Sequence, residues 1–191
     1  MGQRQSGIER KLEIHLDEFF AGHSSERHVW GSGPMRQVLP NFHVMAFGPG
    51  PKSALWTYCS VGAWEIAKDE ESPRLEFLMF SEHDAPRLTE LVTMIAYYHR
   101  DYGLGRGHTL GLGEPWLPGS TCNSLLISTP YPLGPELELF EWDGGHVHFL
   151  WALPITEAER ALKVSEGLEA LEARFDSAAI EYWDPTRPSV A

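Results

Sequence analysis

Residues 144–159 read GGHVHFLWALPITEAE. From Val147 the run alternates. Val147, Phe149, Trp151 and Leu153 fall on one face of a β-strand, and His146, His148, Leu150 and Ala152 fall on the other. Pro154 interrupts the alternation. Thr156, followed three residues later by Glu159, forms a capping box, in which hydroxyl and carboxylate satisfy two backbone N–H groups at a helix start. Asp143-Gly144-Gly145 reads as a hairpin turn before the strand. One stretch therefore holds a turn, a core strand, a stop and a helix start, with two imidazoles on one face.

Outward from this stretch the same reasoning places the other elements. LELFEW (137–142) is the hairpin partner, with Glu138 on a solvated face, and SLLIS (124–128) is a further strand. The link TPYPLGPE carries Pro130 and Pro132, which cannot sit in a central strand, so it bends over an edge. Downstream, Ala161, Val164, Leu168, Leu171 and Phe175 form a helical stripe, which Gly167 kinks or divides in two. The end, AIEYWDPTRPSVA, is extended or coil.

The first half reads the same way. A helix over Ile8–Ala21, closed by Gly22, precedes an irregular loop to Asn41. Three strand-like runs follow: FHVMAF (42–47), ALWTYCSVGAWE (54–65) and RLEFLMF (74–80), the last two set apart by an acidic KDEESP turn. A helix then opens with Asp84 as cap and Pro86 in its first turn, and Gly103 stops it. The order predicts an α+β fold, a mainly antiparallel sheet open to some mixed pairing with helices packed on it. Residues 1–35 form a helix and loop flanking a domain over 36–191.

Composition excludes several partners. The chain has 191 residues, with 15 Lys+Arg against 27 Asp+Glu, a net charge of −12. Such a balance disfavours nucleic-acid phosphates and anionic membranes, and suits a basic protein partner. Two cysteines, Cys59 and Cys122, make no disulfide framework and read as reduced thiols of a cytoplasmic protein. No signal-peptide core and no transmembrane run is expected. The sequence does not set the oligomeric state.

Candidate chemistry is sparse. His146 and His148 could give two ligands to zinc. A third would have to come from His99, Asp101, His108 or Glu114, and no spacing ties these to the strand. Gly103, Gly105 and Gly107 lack the third glycine of a dinucleotide loop and follow a helix, so no phosphate site is expected. Cys122 in PGSTCNS has no nucleophile signature and reads as a small residue at a strand entry. The carboxylates Glu136, Glu138, Glu141 and Asp143 carry little information in so acidic a chain. Trp116 in GEPWLPG and Trp183 in YWDPTRP are lids on the core or anchors for a partner.

Four segments, SEHDAPRLTELVTMIAYYHRDYG (81–103), HTLGLGEPW (108–116), SLLISTPYPLGPELELFEWDGGHVHFLWALPITEAERALKV (124–164) and LEALEARFDSAAIEYWDPTRPSV (168–190), resemble the suppressor of fused family in its bacterial single-domain form. The Pro-rich link, strand pair and LPIT-x-AE opening of a helix are the most specific part. The resemblance implies the architecture of that family's N-terminal lobe, binding rather than catalysis, and no cofactor. Eukaryotic members clamp an extended peptide of a transcription factor between two lobes, whereas bacterial relatives look like immunity proteins that neutralise toxins. Only the first lobe is matched, so the eukaryotic peptide site does not carry over whole. The leading expectation is therefore a cytoplasmic, non-enzymatic module that binds a cognate toxin or other protein through the HTLGLGEPWLPG loop, with His108, Glu114 and Trp116 at the contact. The rivals are a metal-dependent hydrolase using His146, His148 and a third ligand such as His108, and a structural subunit of a larger assembly.

Overall fold

The structure is a computed structural model that describes residues 2–66 and 73–191, with side chains from residue 7 onward. Its elements run α1 (Gly2–Phe19), β1 (Ser25–Val29), α2 (Pro34–Val38), β2 (His43–Phe47), β3 (Trp56–Val61), a 3-10 turn (Ala63–Ile66), β4 (Leu75–Ser81), α3 (Pro86–Tyr102) and β5 (Thr109–Gly111). The chain continues through β6 (Ser124–Ser128), a 3-10 turn (Tyr131–Leu133), α4 (Pro135–Glu138), β7 (Leu139–Trp142), β8 (Gly145–Ile155), α5 (Glu157–Glu166) and α6 (Leu168–Ala178). Two compact units result. Gly105–Ser128 and Ala152–Ala191 form one, and the remaining described residues form the other, which includes α1 and β1.

In the first unit β1, β2, β3 and β4 pair antiparallel in sequence order, and β4 then pairs parallel with β8 (Leu75 opposite His148, Leu78 opposite Trp151). The α+β expectation of a mainly antiparallel sheet holds. β4 is buried along its whole length, as a strand flanked on both sides and covered on both faces should be. The turn Asp143-Gly144 joins β7 to β8, with Trp142 opposite Gly145. Helix α3 lays Leu88, Leu91, Val92 and Ile95 into the core and ends at Gly103, whose positive φ of 64° lets its N–H reach the His99 carbonyl. Leu12, Leu16 and Phe20 anchor the N-terminal helix, with Phe20 stacked on Phe47 at 4.3 Å.

Several boundaries differ from the sequence reading, each for a local reason. The loop before Phe42 contains β1, because an edge strand reading SERHV carries none of the apolar alternation that marks a strand. The 54–65 run stops at Val61. Gly62 turns there with φ 106°, and a side chain would meet the Phe42 Cα at 3.2 Å. Asp84 does not cap α3; it accepts the Tyr58 hydroxyl at 2.8 Å, and Ala85 takes the cap position. Residues 135–138 form a helical turn with Pro135 at its first position, so Leu137 and Glu138 precede the strand instead of lying on it. The first helix spans Gly2–Phe19, earlier than Ile8–Ala21. The KDEESP turn falls on residues 68–73, of which only Pro73 lies among the described residues.

In the second unit β5 pairs antiparallel with β6, and α5 packs on α6. The capping box is present: Glu159 N–H donates to Thr156 Oγ1 at 3.2 Å, and Thr156 N–H to Glu159 Oε2 at 2.8 Å. Gly167, with φ 97°, ends α5 and divides the C-terminal stripe into two helices.

Candidate partner-binding surfaces

The second unit presents the HTLGLGEPWLPG segment as a braced arm. Gly107 N–H donates to the Ile127 carbonyl at 2.7 Å, Ile127 N–H to His108 at 2.8 Å, Leu112 N–H to Asn123 at 2.8 Å, and Trp116 N–H to Cys122 at 3.0 Å. These bonds run on either side of the short β5, so a long glycine-rich stretch keeps one path. His108 and Glu114 lie exposed, just before and just beyond β5. Trp116 does not join them. It is 1% exposed, and its indole N–H is buried without a hydrogen-bond partner. The tryptophan is thus a core residue, in keeping with the reading of it as a lid. Trp116→Phe keeps the ring and removes only an unpartnered N–H and part of the volume. We expect it to lower stability by about 1–2 kcal/mol in urea unfolding, while His108→Ala and Glu114→Ala move stability by less than about 0.5 kcal/mol.

Beside this arm the C-terminal coil is locked by charge. Arg187 reaches both oxygens of Glu159 at 2.7 Å and also donates to the Pro154 carbonyl at 3.0 Å. Arg187 is 3% exposed and Glu159 0%. Burial pushes the Glu159 carboxyl up, but the Arg187 guanidinium and the Thr156 and Val190 N–H groups outweigh it and hold the carboxyl below its ordinary range. Val190 N–H donates to Glu159 at 3.1 Å, so one carboxylate serves the helix cap, the guanidinium and the tail. LPIT-x-AE and DPTRPSV, two of the segments that carry the resemblance, meet at this clasp. Cys122, at the entry to β6, is buried, and burial raises its thiol pKa even though Arg187 opposes the shift. The net shift favours the thiol over the thiolate, as for a buried packing residue.

In the first unit a second buried carboxylate does comparable work. Glu76 on β4 is 0% exposed. It accepts from the Ser60 hydroxyl, from Gly62 N–H at 2.7 Å, from Ala63 N–H at 3.3 Å and from Trp64 N–H at 3.4 Å. It caps the 3-10 turn from across the sheet. Burial pushes its carboxyl up to about 7, with the four donors pulling the other way. Glu65 is also pushed up to about 7, by burial, then by a hydrogen bond with Glu9 and the charges of Glu9 and Glu76. Cys59 is fully buried, and its thiol is raised for the same first reason. A charged residue inside the apolar run LEFLMF was the available sign of this site.

His146 and His148 share a strand face as expected, with ring centroids 5.1 Å apart and near perpendicular. His146 is exposed and His148 partly so, and from Phe149 onward both faces of β8 are buried. Among the described residues no group of three His, Cys, Asp or Glu side chains is placed to hold a metal ion. His108, the proposed third ligand, belongs to the other unit. Two imidazoles alone do not make a zinc site.

Comparison with known proteins places this geometry. The family model for suppressor of fused protein matches residues 39–188. No curated protein sequence matches the chain. Among solved structures, a protein described as a suppressor of fused homologue from Neisseria gonorrhoeae is 33% identical, with a TM-score of 0.83, covering 95% of this chain and 96% of that one. A crystal structure of a Sufu–Fu complex has the same fold at 12% identity and a TM-score of 0.70, covering 95% and 91%. Drosophila Suppressor of Fused aligns at 14% identity and a TM-score of 0.58, over 74% of this chain and 39% of that one. With a family-model match across most of its length and a 33% identical relative covered almost end to end, the chain belongs to the suppressor of fused family.

Proposed function

We propose that the chain is a non-enzymatic protein-binding module, and that it works in the cytoplasm to bind and neutralise a cognate toxin. The observation that carries the binding reading is the fold: the related Sufu structure at a TM-score of 0.70 is that of a complex with another protein. The charge of −12 supports a basic partner, which it would steer into contact. No helix among the described residues is long and apolar enough to cross a membrane. The exposed His108 and Glu114, beside β5, are the side chains we assign to the contact; Trp116 is buried in the core.

Co-expression tests the toxin reading. The protein encoded by the adjacent gene should arrest growth alone and be silenced when this chain is present, and His108→Ala with Glu114→Ala should weaken that protection. Equal killing with and without the chain would end it. The hydrolase rival makes a separate prediction. Protein purified without a histidine tag should carry no stoichiometric zinc by elemental analysis. Zinc that disappears in the His146→Ala, His148→Ala variant would favour the rival instead.

A further inference from the structure

A second surface of the first unit combines an open strand edge with two depressions. β1 ends the hydrogen-bonded strand order, and its outer edge has no strand partner among the described residues. Such an edge presents unpaired N–H and C=O groups. A depression of about 410 Å³ borders β1, and one of about 310 Å³ borders the segment that follows it. The first runs between Arg27–Trp30 and the start of α3, the second between Trp30–Met35 and the Glu90–Tyr97 stretch of α3. Trp30 and Glu90 line both, so the two form one trough.

The floor is fixed and apolar. The Trp30 indole N–H donates to Thr93 Oγ1 at 3.0 Å, and that hydroxyl donates to the Thr89 carbonyl at 2.7 Å. Met94, 39% exposed, and Tyr97 complete it, and a methionine adapts to whatever side chain enters. The rim is acidic. Glu90 lines both depressions, Glu26 precedes the lining Arg27, and Asp84 stands two residues before the lining Pro86, whereas the two arginines here are engaged: Arg87 by Glu90 at 2.8 Å and Arg27 by Glu13 at 3.4 Å. Glu26 and Asp84 both raise the pKa of the Tyr58 phenol, after burial, so both carboxylates lie close to one hydroxyl.

We propose that this trough takes an extended, basic segment of the protein partner, which adds as a strand to β1 and seats one apolar side chain over Trp30, Met94 and Tyr97. The proposal rests on the protein-binding reading and adds a surface to it. An extended segment fits because strand addition satisfies the β1 edge, and alternate side chains then point into the trough. A basic one fits because carboxylates dominate the rim. A second copy of this chain fits poorly: antiparallel pairing of β1 with itself, Ser25 opposite Val29, sets Arg27 against Arg27.

The test is a titration of isotope-labelled protein with two capped heptapeptides, Lys-Val-Lys-Phe-Lys-Val-Lys and its glutamate counterpart, followed by amide and indole NMR. The lysine peptide should shift the Ser25–Val29 amides and the Trp30 indole saturably, at least tenfold more tightly than the glutamate peptide. Met94→Lys and, more mildly, Glu26→Gln should weaken it, with the dispersed spectrum of each variant showing that it folds. Equal binding of both peptides, shifts confined to other residues, or binding unchanged by Met94→Lys would each overturn the trough. Those results leave the protein-binding reading standing; that reading fails separately, if the wild-type chain forms no complex with the neighbouring gene's product.

Discussion

Arg187→Ala is expected to destabilise the protein by about 3–5 kcal/mol, because it leaves the Glu159 carboxylate buried without its counter-ion. The two groups are 3% and 0% exposed and joined by two bonds of 2.7 Å. Urea unfolding at neutral pH should show the loss as a lower midpoint. Arg187→Lys should fall between, since an ammonium cannot span both oxygens. Removing both charges (Arg187→Met with Glu159→Leu) should cost about 1–2 kcal/mol, mainly for the lost Thr156 and Val190 contacts. The pH dependence has a definite sign. The folded Glu159 carboxyl titrates below its ordinary 4.5, so its contribution is present above about 4.5 and is lost as pH falls through the folded value. The gap between wild type and Arg187→Ala should therefore close in acid. A change of less than about 1 kcal/mol at pH 7 would mean that the clasp is not what fixes the tail.

Glu76→Ala should have an effect of similar size, about 3–5 kcal/mol, since it strands the Ser60 hydroxyl and the N–H groups of residues 62–64 in the core. Glu76→Gln keeps an acceptor oxygen and should lose less. Here the sign is reversed. The folded carboxyl sits at about 7 against an ordinary 4.5, so the folded state holds the proton more tightly across that window. The stability from that proton is fully present below about 4.5 and is lost as pH rises through 7. Buried His43 titrates below its ordinary value, chiefly through burial, and pulls the total the other way. The difference between wild type and Glu76→Gln leaves the Glu76 part together with the share of the Glu65 shift that the Glu76 charge causes, which has the same sign. The advantage of wild type should shrink from pH 5 to pH 8; an advantage that grows would contradict the assignment.

The fold was largely readable because its decisive signals are local. The alternation through Val147–Leu153, the Thr156–Glu159 box, Pro86 and the glycines at 103 and 167 each act within a few residues. β1 escaped because a solvent-facing edge strand has no apolar period to detect. Sites were harder, since they depend on who meets whom. Arg187 looks like an ordinary surface arginine until the coil brings it to Glu159, 28 residues away in sequence. Trp116 read as either a core lid or a partner anchor because its neighbours are turn formers, and the bonds on both sides of β5 fold it inward. Trp30 lies some sixty residues before Met94 and Tyr97 of α3, so no spacing could have announced the trough.

The central claim is that this chain acts by binding a protein, and one measurement addresses it most directly: calorimetric titration of the purified chain with the product of the adjacent gene. A saturable one-to-one complex, weakened at least tenfold by His108→Ala with Glu114→Ala and by added salt, is the predicted result. No heat and no complex at protein concentrations of about 100 μM, with both proteins folded, would contradict it.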